Sequence, residues 1–212
     1  MQLAQSAQAG DKVIFLDRNV DWVSGDEIAI APTGFYPFEA EKVTVVSIAG
    51  NRVSVDPPPI FEHFDDLQNS QGYRVDERAE VGLLALIKVV QRAEDSEISQ
   101  YGGDGMIMPG SSGRGEAVGF YRMRQMGHSA RYPSHGHLID RFDRPTKNQY
   151  VRDCSIHRSF QRAVVIYGTS NVSLRSNAAY DIFNHIYVLA VDGDETGNAG
   201  IGNLGILAKI LV

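Results

Sequence analysis

The chain has 212 residues, of which 43% are hydrophobic and 22% are charged, as is typical of a globular protein with a hydrophobic core. Its longest apolar run, residues 81–90, is about half of the roughly 20 residues that a membrane-spanning helix needs, so no membrane span is predicted. The single cysteine, Cys154, excludes an intrachain disulfide and is predicted to be a core residue.

Residues 1–60 are predicted to form a partial N-terminal β module. Short β-branched runs in this segment are separated by Gly, Asp and Asn, as expected of strands joined by turns. Residues 49–52 (AGNR) have the composition of a hairpin connection. Three prolines at 57–59 end the module, and the polar stretch up to Tyr73 is the predicted boundary.

Residues 74–212 are predicted to form a parallel β-helix. Residues 148–157 align with residues 171–180 at an offset of 171 − 148 = 23 residues, a period that suits one coil of this fold. Because successive coils stack, residues one period apart form columns on one face. Asn148 and Asn171 would occupy equivalent turns. The predicted fold class is therefore all-β, with a right-handed parallel β-helix after a short N-terminal β module.

The charge is distributed unevenly along the chain. Residues 114–162 hold 10 Lys/Arg against 4 Asp/Glu, whereas residues 1–113 hold 8 against 18. A cationic strip on an acidic protein can hold a polyanion through many weak contacts. Acidic polysaccharide is the predicted partner, because the sequence has no nucleic-acid recognition motif and a pI of about 5.5. A solvated basic face without a ligand is the alternative, and the oligomeric state is left open.

The histidines of the second half form a predicted metal site. His135 and His137 are separated by one residue, so both side chains leave the same face of a strand. The repeat places His185 near the column of His135, by way of Arg162, and His157 on the coil between them. Neighbouring imidazoles suit zinc or another divalent transition metal. The predicted ligands are His135, His137, His157 and His185.

The same residues also permit chemistry without a metal. A histidine would act as general acid or base, and an arginine would bind a substrate carboxylate in bidentate fashion. The candidate catalytic residues are His135, His137, His157, Asp181, Arg131 and Arg162. A purely structural role for the histidines is the third possibility. No organic cofactor is predicted, since the glycine-rich segments lack the Lys-Ser/Thr of a phosphate loop. His63 and His128 are expected in surface loops.

Two reactions on a glycan remain open at this stage. Hydrolysis generally uses two carboxyl groups on either side of the glycosidic bond, and the aspartates near the basic strip are Asp140, Asp143, Asp153 and Asp181. Elimination instead needs a base beside a uronate carboxylate and a cation to stabilise the charge that forms. Histidine and arginine on one face meet that requirement, but the sequence does not choose between the two reactions.

Four sequence blocks occur in an order found in a known family. They are residues 21–30 (DWVSGDEIAI), 76–84 (DERAEVGLL), 131–138 (RYPSHGHL), and 155–160 (SIHRSF) with 177–181 (NAAYD) and His185. Together they resemble the cell-migration-inducing hyaluronidase-like proteins and the related fibrocystin-like receptors, in the region that follows their eight-glycine domain. The resemblance covers most of the chain.

The resemblance implies a right-handed β-helix, a secreted or cell-surface location and, for some members, calcium-assisted depolymerisation of hyaluronan. The sequence departs from the family where an Arg-Asn pair is expected after Leu84 and Ala85 follows, and where Gly136 replaces a tryptophan. The leading hypothesis is a polysaccharide-active protein that binds or cleaves an acidic glycan such as hyaluronan, as a glycoside hydrolase or a polysaccharide lyase. The alternatives are a noncatalytic glycan-binding or adhesion module and a metal-dependent hydrolase of a small nonsugar substrate.

Overall fold

A computed structural model describes residues 1–85, 88–91, 96–127, 133–138, 148–190 and 195–210 of the chain. Within these residues there are twenty β-strands, and helix is limited to the 3-10 turn Pro37–Glu39 and the one-turn helix α1 (Ser96–Ser99). By their contacts the residues form two units, Met1–Ala85 and a second unit that begins at residue 86. None of the described helices is long and apolar enough to cross a membrane. The predicted all-β class is confirmed.

The first unit is built on an antiparallel sheet with the strand order β1-β4-β3-β2-β7. A separate hairpin, β5-β6, lies in the same unit. The predicted hairpin connection is confirmed, because Ala49 of β3 pairs with Arg52 of β4 around Gly50, which has φ 68°. The strands are β1 (Val13–Phe15), β2 (Glu27–Ile30), β3 (Glu41–Ala49), β4 (Arg52–Asp56), β5 (Leu67–Ser70), β6 (Tyr73–Asp76) and β7 (Val81–Leu83).

The contact-based division lies later in the chain than the boundary that the prolines and polar residues predict. Strand β7 pairs with β2, where Ile28 faces Leu83 and Ile30 faces Val81. Ile28, Ile30 and Val81 are buried in one core with Trp22. The polar stretch after Pro59 therefore connects strands within the first unit, and residues 74–85 join its sheet and hairpin instead of the solenoid.

His63 is a buried residue, so the expectation of a surface loop was wrong. Its side chain is 0% exposed. Nδ1 lies 2.9 Å from the carbonyl oxygen of Ala31, and Nε2 lies 2.9 Å from Oε2 of Glu41. The same carboxylate accepts the backbone N–H groups of Ile60 and Phe61. One histidine and one glutamate thus fasten the segment after the prolines to the start of β3.

The second unit is a parallel β-helix, as predicted. Its described strands form three parallel sheets: sheet A (β8-β11-β14-β17-β20), sheet B (β9-β12-β15-β18) and sheet C (β10-β13-β16-β19). The strands are β8 (Lys88–Gln91), β9 (Met106–Ile107), β10 (Arg114–Glu116), β11 (Val118–Tyr121), β12 (Ser134–His137), β13 (Gln149–Arg152), β14 (Ser155–His157), β15 (Val164–Tyr167), β16 (Val172–Arg175), β17 (Ala178–Phe183), β18 (Tyr187–Ala190), β19 (Ala199–Ile201) and β20 (Leu204–Lys209).

The predicted period of 23 residues is confirmed for two successive coils, in which β13, β14 and β15 pair with β16, β17 and β18. Gln149 pairs with Val172, Ser155 with Ala178, and Val164 with Tyr187, each 23 positions apart. Other coils are longer, since Tyr150 pairs with Arg114 across 150 − 114 = 36 positions. The strands stack in register although the segments between them differ in length.

The corners of the coils are formed by residues in the left-handed region of backbone space. Asn148 and Asn171, each with φ 59°, precede consecutive strands of sheet C, as the repeat predicts. A second column of positive-φ residues lies at one register position of sheet A: Arg122 and Arg158 directly follow β11 and β14, whereas Asp181 and Leu207 lie within β17 and β20. A third separates sheet C from sheet A and consists of Ala117, Asp153, Ser176 and Gly202. Single residues in this conformation turn the chain sharply, at a modest energetic cost for residues other than glycine.

Apolar side chains and asparagines fill the interior of the second unit. Ile156, Val164, Ile166 and Leu174 belong to one buried core. Beside this core, Asn177 Oδ1 accepts the backbone N–H of Cys154 at 3.0 Å, and Asn177 Nδ2 donates to the carbonyl of Val151 at 2.8 Å. Asn203 repeats the arrangement one coil later. The predicted core position of Cys154 is confirmed, and burial raises the pKa of its thiol.

Candidate functional site

The outer surface of sheet C carries a row of arginines. Along β13 and β16, Val151 and Leu174 point into the core, so their neighbours point outward because side chains alternate along a strand. One outward column is Arg114, Tyr150 and Ser173, and the next is Glu116, Arg152 and Arg175. We call Arg114, Tyr150, Arg152, Ser173 and Arg175 the arginine face.

An open groove of about 640 Å³ runs over the arginine face, and its lining includes all five of these residues together with Asn148 and Asn171. Arg152 lies 4.6 Å above the ring centroid of Tyr150 and forms a 2.8 Å ion pair with Glu116, which raises the pKa of its guanidinium. Arg175 donates to Ser173 Oγ at 3.0 Å. These contacts fix the guanidinium groups of Arg152 and Arg175 against their neighbours on the sheet.

The charge of this groove suits an anionic ligand with apolar faces. Its lining includes three guanidinium groups, and the carboxylate of Glu116 compensates one of them. Guanidinium groups bind carboxylates in bidentate fashion, and a tyrosine ring offers a flat surface to a sugar ring. Arg114 and Arg152 lie in the predicted basic strip. Arg175 was missed, although it follows Arg152 at the detectable offset of 175 − 152 = 23.

A second group of polar side chains lies where the chain leaves sheet A. Ile156 and Ala179 point into the core, so His157 and Tyr180 point outward, in one column with Tyr121. The ring centroids of Tyr121 and His157 are 4.8 Å apart, with an interplanar angle of 39°. Arg158 and Asp181 occupy the next position on successive coils. We call Tyr121, His157, Arg158, Tyr180 and Asp181 the corner cluster.

Charged groups hold the corner cluster together. Arg158 Nη1 donates to the phenol oxygen of Tyr121 at 3.2 Å. Arg158 Nε lies 4.0 Å from Oδ2 of Asp181, which also forms an ion pair with Lys209. The guanidinium of Arg122 lies 4.8 Å from the ring centroid of Tyr121. The predicted residues His157 and Asp181 therefore lie on adjacent coils, one register position apart, and Arg158 contacts both Tyr121 and Asp181.

His135 lies in a different column from the one that the repeat predicts. It belongs to sheet B, where it pairs with Met106 and Val165, and Val165 pairs with Val188. The placement of His185 near the column of His135 is corrected, because His185 precedes Val188 by three positions and is exposed. The predicted alignment failed since the coil before residue 148 is longer than 23 residues.

The predicted metal ligands are spread over different elements. His135 is in sheet B and only 2% exposed, whereas His157 is in sheet A and 8% exposed. Arg162 lies in the connection between β14 and β15. In the part of the chain that the structure describes, no three His, Cys, Asp or Glu side chains are grouped so that they could hold a metal ion. Arg131 and the side chain of His137 lie outside the described residues, so a metal site that includes His137 stays a prediction.

The two described aspartates considered for hydrolysis, Asp153 and Asp181, lie at different corners of the coils. Asp153 precedes β14 at one corner, and Asp181 lies within β17 at the register position that Arg158 occupies one coil earlier. Five residues separate these positions along the strand direction (158 − 153 = 5), which corresponds to roughly 15 Å. Two carboxyl groups that hydrolyse a glycosidic bond are roughly 5 to 10 Å apart. Asp140 and Asp143 lie outside the described residues.

The chain matches one family model and several known proteins over most of its length. A family model described as CEMIP beta-helix matches residues 100–212. A G8 domain-containing protein of Dictyostelium discoideum is 34% identical over 96% of the chain, and the human cell surface hyaluronidase CEMIP2 is 30% identical over 94%. Human fibrocystin-L is 29% identical over 98%. The chain spans only 13%, 15% and 6% of these three relatives, respectively.

Solved structures add a remote match. A crystal structure of a tailspike protein from a Pseudomonas phage aligns with 97% of this chain and 31% of its own, with a TM-score of 0.30 and 12% identity. The strand pairing of the chain itself defines the parallel β-helix.

Proposed function

Because the chain belongs to the CEMIP β-helix family, we propose that it binds an acidic polysaccharide on the arginine face as part of a glycan-active β-helix protein. The observation that carries the proposal is the groove whose lining includes Arg114, Tyr150, Arg152 and Arg175. The guanidinium groups would bind carboxylates of the glycan, and the phenol ring would support the apolar face of a sugar. Because the relative CEMIP2 is named a cell surface hyaluronidase, hyaluronan is the first ligand to test.

A glycan-binding role implies an extracellular setting. The same relative is named as a cell-surface protein, and we propose that this chain also acts outside the cell or on its surface. Polyanionic glycans are abundant in that setting. An arginine-lined groove on an otherwise acidic chain would bind polyanionic ligands in preference to neutral ones.

Titration calorimetry with hyaluronan, chondroitin and neutral dextran tests the binding proposal. Arg175→Gln removes one charged hydrogen-bond donor, worth about 1.5 to 3 kcal/mol, and should weaken hyaluronan binding roughly tenfold or more. Arg74→Gln, in β6 of the first unit, is the matched control and should leave the affinity unchanged. Affinity should fall as salt concentration rises. Equal affinity for dextran and hyaluronan, or an unaffected Arg175→Gln variant, would contradict the proposal.

A noncatalytic binding or adhesion module is the second candidate. The observation that favours it is that the arginine face is an open, preformed groove whose described lining contains no Asp, Glu or His. Release of reducing ends from bound hyaluronan distinguishes the candidates. Binding without release supports a module, whereas release supports an enzyme.

A further inference from the structure

We propose that an apolar surface of the first unit is a docking site for a partner protein, which it binds through a segment that carries both basic and apolar side chains. The surface consists of five exposed residues on two segments of the chain: Phe35, Tyr36, Phe38, Ile60 and Phe61. We call it the aromatic patch. The inference goes beyond the proposed function, because its ligand is a protein and its place is the first unit, whereas the arginine face belongs to the second.

The two segments of the aromatic patch are held side by side. Thr33 Oγ1 donates to the carbonyl of Glu62 at 3.4 Å. The carboxylate of Glu41 accepts the backbone N–H groups of Ile60 and Phe61, at 2.8 Å and 3.1 Å. Both ends of the loop between Thr33 and Glu41 are thus tied to the second segment, so the exposed side chains of the loop and of that segment lie on one part of the surface.

The apolar side chains of the aromatic patch are largely exposed. Phe35 is 92% exposed, Phe38 69% and Ile60 72%. The rings of Phe35 and Tyr36 are in edge contact, with centroids 5.5 Å apart. A single exposed apolar residue needs no explanation, whereas a contiguous apolar group marks an interaction site. Aromatic side chains are enriched in protein interfaces, so the composition of the patch fits a protein partner.

The charge around the aromatic patch defines the chemistry of the partner. Residues 31–41 and 56–66 together hold six Asp/Glu and no Lys/Arg. Glu39 and Glu62 directly follow apolar residues of the patch, and in the described part of the chain neither of them forms an ion pair. A partner segment with Lys or Arg beside its apolar side chains would cover the rings and place its cations at these carboxylates.

The same charge disfavours other ligands. Acidic polysaccharides and anionic lipid headgroups are repelled by a surface whose charged groups are carboxylates. A neutral membrane is the alternative occupant, because aromatic side chains also enter membrane interfaces. Binding of the patch to a protein segment and to a neutral membrane can be measured separately.

Fluorescence anisotropy with a labelled amphipathic peptide of lysine and leucine tests the proposal. A peptide of the same pattern with glutamate in place of lysine is the matched probe. The whole chain should bind the lysine peptide saturably and at least about tenfold more tightly than the glutamate peptide, because like charges repel across an interface. Phe35→Ser and Phe38→Ser should each weaken binding of the lysine peptide about tenfold or more, as expected when the burial of an apolar ring is lost.

The controls separate a lost contact from a lost fold. Ile98→Ser changes an exposed apolar residue of the second unit and should keep full affinity for the lysine peptide. Trp22 fluorescence during denaturation verifies that the phenylalanine variants fold. A double variant, Glu39→Gln with Glu62→Gln, keeps the rings and should lower both the affinity and its dependence on salt. Hyaluronan affinity should be the same in all of these variants, so the binding proposal for the arginine face is judged independently.

The outcomes decide between the occupants. Weaker binding of the lysine peptide in Phe35→Ser and Phe38→Ser, with full binding in Ile98→Ser, supports the docking site. The absence of saturable binding, equal affinity for the two peptides, or unchanged affinity in the phenylalanine variants overturns it. Sedimentation of the chain with phosphatidylcholine vesicles, if the same two substitutions abolish it, overturns the proposal in favour of a neutral membrane surface.

Discussion

The two units satisfy their buried polar groups in different ways. In the first unit a single pair, His63 and Glu41, fastens one segment to one strand. In the second unit one kind of contact recurs on successive coils: the side-chain oxygens of Asn177 and Asn203 each accept a backbone N–H group from the coil before. His63 of the first unit therefore has a structural role. In the second unit the backbone ladders and the asparagines already connect the coils, so fewer of its outward side chains are needed for stability. Chemistry is expected on the second kind of position.

The largest predicted effect breaks the fastener of the first unit. His63→Ala leaves the Glu41 carboxylate buried without its imidazole partner, so the free energy of unfolding should fall by about 3 to 5 kcal/mol. The only tryptophan, Trp22, is buried in the same core, so its fluorescence during denaturation reports the first unit. His185→Ala, at an exposed histidine of the solenoid, should leave the transition in place. An unchanged Trp22 transition in His63→Ala would refute the structural role.

A smaller loss is expected when the repeated contact of the second unit is cut. Asn177→Ala leaves the N–H of Cys154 and the carbonyl of Val151 without their side-chain partner. An unsatisfied buried group costs about 1 to 3 kcal/mol, so the unfolding free energy of the second unit should drop by about 2 to 3 kcal/mol. Circular dichroism at the strand band measures this loss. Asn69→Ala in the exposed hairpin of the first unit is the control, and equal stability of the two variants would argue against the ladder.

The smallest effect appears only at alkaline pH. Tyr187 packs against the core of the second unit, and its hydroxyl can donate to either of two carbonyl oxygens, that of Asn177 at 3.2 Å or that of Leu204 at 3.1 Å. Burial raises the pKa of its phenol well above the ordinary value. The folded state then keeps a proton that the unfolded chain loses near pH 10, so stability is retained below about pH 10 and falls as pH rises beyond it. Tyr187→Phe should flatten this alkaline decline in thermal unfolding experiments. A decline of equal slope in the variant would assign it to other groups, such as Cys154.

Much of the second unit could be predicted from the sequence, because residues 148–157 and 171–180 of two successive coils have similar sequences. The offset of 23 residues correctly predicts the pairing of Gln149 with Val172 and of His157 with Tyr180. The same offset failed at His135, since the preceding coil has extra residues that no local pattern marks. Sequence alignment within a chain detects coils of equal length and misses those with insertions.

The sites were predicted less completely than the fold. His157 and Asp181 lie on adjacent coils, one register position apart, but Tyr121 is 36 positions before His157, outside the detectable repeat. The burial of His63 depends on Glu41, 22 positions away on another strand, and no periodicity links them. Pairing of side chains across different sheet segments depends on tertiary packing, which local sequence does not encode. The pairing of β7 with β2 was also not predicted, because it too depends on tertiary packing.

The left-handed residues at the corners have a further consequence for how such a protein can change. Each coil turns at fixed single positions, so the strands keep their alignment whether 23 or 36 residues separate neighbouring layers. Segments between corners can lengthen, shorten or be exchanged while the stack below and above them is preserved. A lineage built on this plan can therefore acquire new surface loops one layer at a time, and an engineer can graft a binding loop there with little risk to folding.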